Sequence, residues 1–508
     1  MQTISSRIKA IVKSDSIGWL LVLLGIALRL RQYIANRSFW HDEANLALNL
    51  VDRTFSGLTQ PLDYDQGAPI GFLFIEKTFI TLMGNKDYIL RLFPLVSGLT
   101  AIVLIYLVVR EYFKEGGLLA TLIFSISWTL VYYSSELKQY SSDAMFVLLL
   151  IYLAFRCLKE DASLKDFLFL GVAGFFSIWI SHPSAFILAG IGLVLFFEKL
   201  ISKKYKAFIW TLGLGLAWAA SFAGTYFVSL RYLVTDQSLE NYWRHGFMPL
   251  PPWSNWDWYT KAYLSLLSTT NPGLDSGYFL FACSAFILIG IASIFLRDRK
   301  IALLITLPFV IASIASVLQK YPLKERFMLF LVPLVLILIA EGFGRIYLLL
   351  NKWNHRLAIG VYAFVPLWII WIWCGSVYFN FINPPLGDHV KPVMEYVEHH
   401  MAPNDIVYVY HGARPSFNYY ASFYGLTGDN VLTGLDLADA PALTQFYKQI
   451  DRLAGNDRVW ILFSHIVDCG GCTGNMASFY IQYLDQFGKS IDHFGASGAE
   501  VFLYDLNP

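Results

Sequence analysis

Two neighbouring carboxylates, Asp42 and Glu43, follow soon after the first apolar stretch of the chain. A buried carboxylate beside a like charge has a raised pKa, which suits it to act as a base towards a hydroxyl group. An ordinary structural role is also open, because Asp is a favourable N-cap and a helix could begin near Glu43. The pair is therefore a candidate catalytic site, and its spacing alone does not distinguish a catalytic role from a structural one.

A second group of polar residues, Glu136, Lys138, Tyr140 and Asp143, stands at the start of a later apolar stretch. If this segment is helical, Glu136, Tyr140 and Asp143 share one face, because they are spaced at i, i+4 and i+7. Such a face could hold a divalent cation or orient a basic partner. Alternatively, the helix dipole favours carboxylates near the N-terminus, which explains Glu136 better than the deeper Asp143.

The turn Ser181-His182-Pro183 separates two apolar stretches and contains no Lys or Arg. A histidine in such a turn is more often a turn residue than a ligand, although it can also line a binding pocket. We therefore keep His182 as a pocket candidate beside the acidic groups.

Three cations, Lys320, Lys324 and Arg326, stand close together in a loop that also contains Tyr321 and Glu325. A phosphate or diphosphate of a lipid carrier would explain them, because Arg and Lys are the usual phosphate partners. Contact with lipid headgroups and pairing with Glu325 are the alternatives. Together with the acids, these cations match a reaction on a lipid-linked phosphate ester, which needs a base for the acceptor and cations for the departing phosphate.

The chain that must position these residues has the composition of a membrane protein: 508 residues, 56% hydrophobic and 15% charged, with a mean hydropathy of +0.50. An ordinary soluble domain has roughly 25% charged residues, and a single water-soluble core stops growing at roughly 250–300 residues. The net charge of +1 and the lack of basic runs with interleaved aromatic residues give no indication of nucleic-acid binding. Eleven apolar segments have spanning length, at 17–34, 88–109, 117–133, 142–158, 167–181, 184–200, 207–230, 277–296, 301–318, 327–344 and 357–379.

Lys and Arg recur in alternate connections between these segments, for example Arg110 and Lys114, on the side of the basic N-terminus. The positive-inside rule then predicts a cytoplasmic N-terminus, and an odd number of helices places the C-terminal end outside. Residues 1–382 are thus predicted to form a polytopic α-helical membrane module in contact with membrane lipids.

Two outer loops of this module are long, at 35–87 and 231–276. Alternating apolar residues near 43–51 and 70–83 predict short amphipathic helices along the outer membrane interface. The aromatic residues of the second loop, among them Trp243, are predicted to anchor it at headgroup depth, with ligand stacking as the alternative.

Residues 383–508 have a different character, in which strand-like and helix-like segments alternate. The strand-like runs are Ile406–Tyr410, Val459–Phe463 and Val501–Tyr504, and the helix-like stretches lie near 388–400, 415–424, 441–454 and 474–487. This alternation predicts a small extracytoplasmic α/β domain. No Gly-rich phosphate-binding fingerprint follows any strand, so no cofactor is assigned to it.

Cys469 and Cys472 form a Cys-Gly-Gly-Cys sequence in this domain, with His465 and Asp468 nearby. In an oxidising outer compartment a local disulfide is favoured over a reactive thiol pair. A metal site would need more ligands than the sequence shows here. We therefore predict a disulfide that closes a tight loop.

Several motifs follow one another in a recognisable order along residues 15–350. They are Phe39-Trp40-His41-Asp42-Glu43-Ala44 after the first helix, Gln66-Gly67-Ala68-Pro69 in the first outer loop, the Tyr140 region, the Ser181-His182-Pro183 turn, and Tyr321 to Arg326 before an apolar helix with Pro333. In this order they resemble the GT-C superfamily of polytopic glycosyltransferases, and in particular bacterial glycosyltransferase family 39 and its Rgt-like relatives.

The resemblance implies a plasma-membrane enzyme that takes a sugar from a polyprenyl-phosphate-linked donor at the outer leaflet and passes it to a lipid, glycan or protein acceptor, usually with inversion. It also implies that Asp42 is the base for the acceptor hydroxyl and that Glu43 supports it. The implied donor-phosphate ligands are Lys324, Arg326, Lys138 and Tyr321, and the implied pocket residues are His182, Glu136, Tyr140 and Asp143. Some members of the superfamily use a divalent metal, to which Glu136 and Asp143 could contribute, although no Asp-x-Asp stands in the second outer loop.

Two other functions are open to a polytopic chain of this kind. One is a glycan ligase or polymerase that uses a diphosphate-linked donor, and the other is a non-enzymatic transporter of lipid-linked sugars. A transporter would more often show internal repeats and helices broken at mid-bilayer. The sequence shows no repeat, and its notable charges are predicted at one membrane surface, which favours an enzyme.

Overall fold

A computed structural model of the chain describes residues 15–268, 277–434, 443–467 and 475–507. These residues form two compact units, which we name the membrane unit and the sheet unit. The membrane unit comprises the described residues up to Ile34 together with Thr54–Pro384, and the sheet unit comprises Ala35–Arg53 together with the described residues from Pro385 onwards. Residues 35–53 of the first predicted outer loop are thus grouped with C-terminal residues, and the functional division into 1–382 and 383–508 stays a prediction.

Helices make up the membrane unit. They are Asp15–Ile34, Ile70–Met83, Asp87–Leu90, Leu92–Tyr112, Gly117–Ile126, Trp128–Tyr133, Tyr140–Leu158, Leu164–Ile180, Ser184–Ile201, Tyr205–Thr225, Arg231–Thr235, Gln237–Tyr242, Trp256–Ser268, Gly277–Arg297, Arg299–Val317, Val332–Trp353 and His355–Ile382. Among the described residues, nine helical segments are long and apolar enough to span a membrane. The chain is therefore a multi-pass membrane protein.

The prediction of eleven spans differs from the structure in two segments. The predicted span 117–133 consists of two shorter helices, because Ser127 leaves the helical backbone conformation with φ −57° and ψ 111°. The predicted span 167–181 is the helix Leu164–Ile180, whose 17 residues are at the short limit for crossing a bilayer. Hydropathy averages over a window, so it does not register a single residue that interrupts a helix.

The helix Val332–Trp353 belongs to the most deeply buried span of the membrane unit. In the span that contains it, 94% of the most apolar window is buried, against 17% in His355–Ile382. Helices that are apolar on all sides must be covered by other helices or by lipid, and these two spans represent the two cases. Close packing of the buried helix depends on Gly342, since a Cβ there would collide with the backbone of Phe286.

The described part of the sheet unit contains five strands, β1 (Ile406–Val409), β2 (Val431–Thr433), β3 (Val459–Ser464), β4 (Lys489–Ala496) and β5 (Ala499–Asp505), in the order β2-β1-β3-β5-β4. β1 pairs in parallel with β2 and β3, whereas β5 pairs antiparallel with β3 and β4. The helices of the unit are His41–Asp52, Lys391–His400, Arg414–Tyr420, Leu443–Asp451 and Met476–Leu484. The prediction of a small C-terminal α/β domain is confirmed.

The predicted strands correspond to β1, β3 and β5, and the sequence analysis misses β2 and β4. Every residue of β3 is buried, so it appears in the sequence as a continuous apolar run. β4 lies at the sheet edge, is mostly exposed and contains Lys489, Asp492 and His493. β2 has only three residues. Polar or very short edge strands give no hydrophobic pattern that would reveal them.

Both short helices predicted in the first outer loop form, as His41–Asp52 and Ile70–Met83. The first belongs to the sheet unit and is named the motif helix below, and the second belongs to the membrane unit. Their predicted place at a membrane interface stays a prediction.

Candidate functional site

Asp42 lies in the first turn of the motif helix. This helix begins at His41, and its N-cap is Trp40, which makes no capping hydrogen bond through its side chain. Asp42 is therefore not the N-cap, and the capping explanation for this residue is wrong. A carboxylate in the first turn still favours the helix through the dipole, by about 0.3–1 kcal/mol. Asp42 is half-buried, while Glu43 beside it is fully buried.

Glu43 forms a buried ion pair with Arg37. The Arg37 Nη1 atom donates to Glu43 Oε2 at 2.8 Å, and the two side chains are 1% and 0% exposed. Both residues belong to the sheet unit, so this pair ties the segment before the motif helix to its first turn. Removing one partner of such a pair leaves a buried charge and costs about 3–5 kcal/mol. The structure therefore gives Glu43 an anchoring contact.

The backbone just before the motif helix is bound by other residues of the sheet unit. The Phe39 N–H donates to the Tyr420 hydroxyl at 2.9 Å, and the Ser416 hydroxyl donates to the Phe39 carbonyl at 2.9 Å. The Ser38 hydroxyl contacts His389 Nδ1 at 2.9 Å. The sequence analysis names none of these partners, because they stand more than 340 positions away and no pattern links them to residues 38–39.

His41 contacts the loops that follow the two parallel strands β1 and β3. Its Nδ1 donates to the Gly412 carbonyl at 3.3 Å, and its ring stacks on His465 with centroids 4.8 Å apart. His465 Nδ1 in turn lies 3.0 Å from Asp388 Oδ2. Burial, and next the neighbouring His465, lower the pKa of His41, so the His41 ring is neutral at neutral pH.

The second polar group lies at the start of the helix Tyr140–Leu158 in the membrane unit. Glu136, Lys138, Tyr140 and Asp143 are all buried. Because the helix begins at Tyr140, Glu136 lies in the preceding loop, and its predicted place on one helical face with Tyr140 and Asp143 is wrong. The Lys138 Nζ atom donates to Gln66 Oε1 at 2.7 Å, which joins the second group to the Gln66-Gly67-Ala68-Pro69 motif.

Arg326 stacks its guanidinium group on two aromatic rings. Its Cζ atom lies 5.7 Å from the ring centroid of Tyr140 and 5.7 Å from that of Trp243. Contacts of this kind contribute about 0.5–2 kcal/mol each. The structure thus brings together a predicted cation and a predicted pocket residue. Trp243, which the sequence analysis assigns to interfacial anchoring, is a residue of this cluster that the analysis missed.

Tyr133 completes the aromatic cluster, with its ring 5.3 Å from Tyr140. Burial raises the pKa of the Tyr133 hydroxyl, and Glu136 and Tyr140 raise it further, while Arg326 acts in the opposite direction. These influences place Glu136 and Arg326 in the same electrostatic neighbourhood. A cation that lies over aromatic rings is a suitable partner for a phosphate-bearing group.

Lys324 lies in a different environment from Arg326. It is 46% exposed and pairs with Glu325 at 3.3 Å. It lines an open cavity of about 830 Å³ together with residues of the second predicted outer loop, including Arg244, His245 and Lys261. Lys324 and Arg326 are two positions apart in the sequence but lie in different surroundings within the membrane unit.

Asp143 is buried in the membrane unit, and Tyr321 and His182 are half-buried there. The Tyr321 hydroxyl donates to the Phe327 carbonyl at 2.9 Å. Burial raises the pKa of Tyr321, and the nearby Asp143 raises it further. Burial lowers the pKa of His182 to about 4, so His182 is neutral at neutral pH. Its Nε2 atom is enclosed and has no hydrogen-bond partner among the described residues.

Metal ligation and disulfide formation were also considered in the sequence analysis. Within the described residues, no three His, Cys, Asp or Glu side chains are grouped to hold a metal ion, so no step is derived through a metal. Cys469 and Cys472 lie outside the described residues, and their disulfide stays a prediction. Cys157, Cys283 and Cys374 are free thiols.

Comparison with known proteins agrees with this architecture. Residues 67–224 match the family described as dolichyl-phosphate-mannose-protein mannosyltransferase. The crystal structure of ArnT from Cupriavidus metallidurans in the apo state is similar, with a TM-score of 0.53, 12% sequence identity, and coverage of 96% of this chain and 98% of that chain. The chain therefore has a fold like that of ArnT.

A second ArnT structure from Cupriavidus metallidurans, bound to undecaprenyl phosphate, matches with a TM-score of 0.53, 13% identity, and the same coverage of 96% and 98%. The Archaeoglobus fulgidus oligosaccharyltransferase complex with Zn and sulfate matches with a TM-score of 0.47 and 12% identity, over 87% of this chain and 67% of that chain, which is too low to support an argument. No curated protein matches the sequence at a significant level. The family match over residues 67–224 and the ArnT-like fold agree with the resemblance that the sequence motifs indicated.

Proposed function

We propose that this chain transfers a sugar from a polyprenyl-phosphate-linked donor to a lipid, glycan or protein acceptor at the outer face of the plasma membrane. The observation that supports it most is the ArnT-like fold over 96% of the chain, since one of the matched ArnT structures is bound to undecaprenyl phosphate. The mannosyltransferase family match over residues 67–224 supports the same class of reaction. In this proposal the N-terminus is cytoplasmic, as the distribution of Lys and Arg between spans indicates.

In this proposal Asp42 is the catalytic base. The acceptor hydroxyl attacks the anomeric carbon of the sugar, its proton passes to the Asp42 carboxylate, and the bond from the anomeric carbon to the phosphate oxygen breaks. The polyprenyl phosphate leaves with the electron pair, and the anomeric configuration inverts. Two features support this role: Asp42 is half-buried in the first helical turn without serving as its cap, and Glu43 is occupied by Arg37.

Arg326 is the donor-phosphate ligand that the structure supports best, and Lys138, which donates to Gln66 Oε1, is proposed beside it. Both belong to the membrane unit, and the guanidinium group of Arg326 lies over the rings of Tyr140 and Trp243. A planar guanidinium binds phosphate oxygens through two parallel hydrogen bonds. Lys324, exposed and paired with Glu325, is the weaker of the predicted ligands, while Tyr321 is engaged with a backbone carbonyl.

The proposal is tested by mass analysis of surface glycans in cells with and without the protein, followed by transfer assays on the purified chain. The assays compare sugars linked to polyprenyl monophosphate and to polyprenyl diphosphate. We expect transfer from the monophosphate donor alone. Transfer only from the diphosphate donor would instead identify a ligase or polymerase, and a wild-type chain that moves lipid-linked sugar without forming a glycosidic bond would be a transporter.

The role of Asp42 is tested by the substitution Asp42→Asn, with Asp52→Asn as the matched control at the other end of the motif helix. Asp52 is exposed, so the control removes a carboxylate of the same helix without touching its first turn. We expect Asp42→Asn to lower kcat by roughly 10²–10⁴-fold, the usual contribution of a general base. Retained turnover in this variant would remove Asp42 from the mechanism.

A further inference from the structure

The N-terminal end of the motif helix lies at the carboxyl ends of two parallel strands of the sheet unit. β1 is followed by Gly412, whose carbonyl accepts from His41, and β3 is followed by His465, whose ring stacks on His41. In α/β sheets the carboxyl ends of parallel strands are the usual place where ligands bind. Here this edge of the sheet is in contact with a segment of the chain itself.

His465 is held in one orientation by Asp388. Its Nδ1 atom lies 3.0 Å from Asp388 Oδ2, and since a carboxylate only accepts, this nitrogen carries the proton. His465 has a φ of 51°, a left-handed conformation that is uncommon outside glycine and is often found at functional positions. Its ring also lies 5.8 Å from that of Trp40. One histidine therefore contacts both residues that precede Asp42.

The orientation of His41 is determined in the same way. The Gly412 carbonyl only accepts, so His41 Nδ1 carries the proton and the tautomer is defined. The His41 and His465 rings are inclined by 27° and stack face to face. The N–H and carbonyl groups of Phe39 are also hydrogen-bonded to residues of the sheet unit. The segment that leads into Asp42 is therefore held by other residues of that unit.

We propose that the sheet unit is the element that positions Asp42, and that His465, oriented by Asp388, is its positioning residue through the ring of His41. This rests on the proposed role of Asp42 as the base. A base must be held in a near-attack geometry, and a misplacement of about 1 Å can cost roughly 10²-fold in rate. The proposal gives the C-terminal residues a defined task in the reaction without direct contact to the substrate.

The test uses the full-length protein and three substitutions. His465→Leu removes both the ring that stacks on His41 and the bond to Asp388, whereas His465→Gln also lacks the ring but keeps an N–H that can donate to Asp388. The matched control is His493→Leu, because His493 also pairs with a carboxylate, Glu500 at 3.4 Å, and also stacks on an aromatic ring in the same sheet. Each variant is measured for kcat, for the KM of the polyprenyl-phosphate sugar, and for amide hydrogen exchange.

We expect His465→Leu to lower kcat roughly 10–100-fold with the donor KM within about 2-fold of wild type, since donor binding is assigned to the membrane unit. His465→Gln keeps the contact to Asp388 but has no ring to stack on His41, so it recovers at most part of the lost kcat, and His493→Leu leaves kcat unchanged. Amide exchange across His41–Asp52 becomes faster in His465→Leu and stays at the wild-type rate in His493→Leu. Equal kcat and equal exchange in His465→Leu and His493→Leu would overturn the proposal.

The same measurements separate this inference from the proposed function. If Asp42→Asn retains full turnover while His465→Leu still accelerates exchange in the motif helix, the sheet unit holds the helix but Asp42 is not the base, and the positioning role in catalysis is overturned. If Asp42→Asn is inactive and His465→Leu is fully active, the proposed function stands and the positioning role fails.

Discussion

Replacing Arg326 and Lys324 one at a time distinguishes two cations that stand two positions apart in the sequence. The Arg326 guanidinium lies over the rings of Tyr140 and Trp243, with its Cζ atom 5.7 Å from each ring centroid. Lys324 is 46% exposed and pairs with the 61% exposed Glu325. If Arg326 binds the donor phosphate, Arg326→Ala should be much more damaging than Lys324→Ala.

The expected magnitudes follow from these surroundings. A hydrogen bond to a charged group contributes about 1.5–3 kcal/mol, so Arg326→Ala should lower kcat/KM for the donor by roughly 10–150-fold. An exposed pair contributes about 0–1 kcal/mol, so Lys324→Ala should cost at most about 5-fold. Arg326→Lys keeps the charge but loses the planar stacking, so its effect should fall between the two.

The assay is sugar transfer from the polyprenyl-phosphate donor at varied donor concentration and fixed acceptor. Lys320→Ala serves as a further control, since Lys320 donates to the Val234 carbonyl and is exposed. A loss of kcat/KM in Lys324→Ala that equals or exceeds that of Arg326→Ala would refute the assignment. The phosphate would then be bound in the cavity that Lys324 lines.

Three further predictions concern stability. Arg37→Met should lower the free energy of unfolding by about 3–5 kcal/mol by leaving the buried Glu43 charge without its partner, and Arg37→Met with Glu43→Leu should recover part of it; equal thermal stability of the single variant and wild type would contradict the buried pair. The pKa of His182 is lowered by burial to about 4, so the unfolded chain binds an extra proton between pH 4 and its ordinary 6.5 and stability falls as pH falls through that window. His182→Gln should therefore flatten the Tm-versus-pH curve below pH 6.5, and an unchanged slope would show that His182 does not cause it. Gly342→Ala places a methyl group against the Phe286 backbone and should sharply reduce the yield of folded protein, whereas Gly360→Ala, with open space at its Cβ, should not; similar yields would contradict the packing.

The segments that the sequence predicted well are those with a strong local pattern. A span such as Leu92–Tyr112 and the buried strand β3 are apolar runs, and their burial imposes that composition directly. The order of the motifs from residue 39 to Pro333 likewise resembles that of the GT-C glycosyltransferases. In contrast, the break at Ser127 and the polar edge strand β4 depend on single residues or on pairing partners, which no window of hydropathy records.

The contacts of the candidate site depended on the tertiary structure. Hydropathy, charge distribution and motif order in the sequence alone determined that the chain is a many-spanning membrane protein with a small α/β domain, because these are sums over local composition. Only the structure showed that residues 35–53 pack with C-terminal residues, that His41 stacks on His465, and that Arg326 and Lys324 face different surroundings. Contacts between residues hundreds of positions apart are decided by how the elements pack, and a single sequence contains no distance between them.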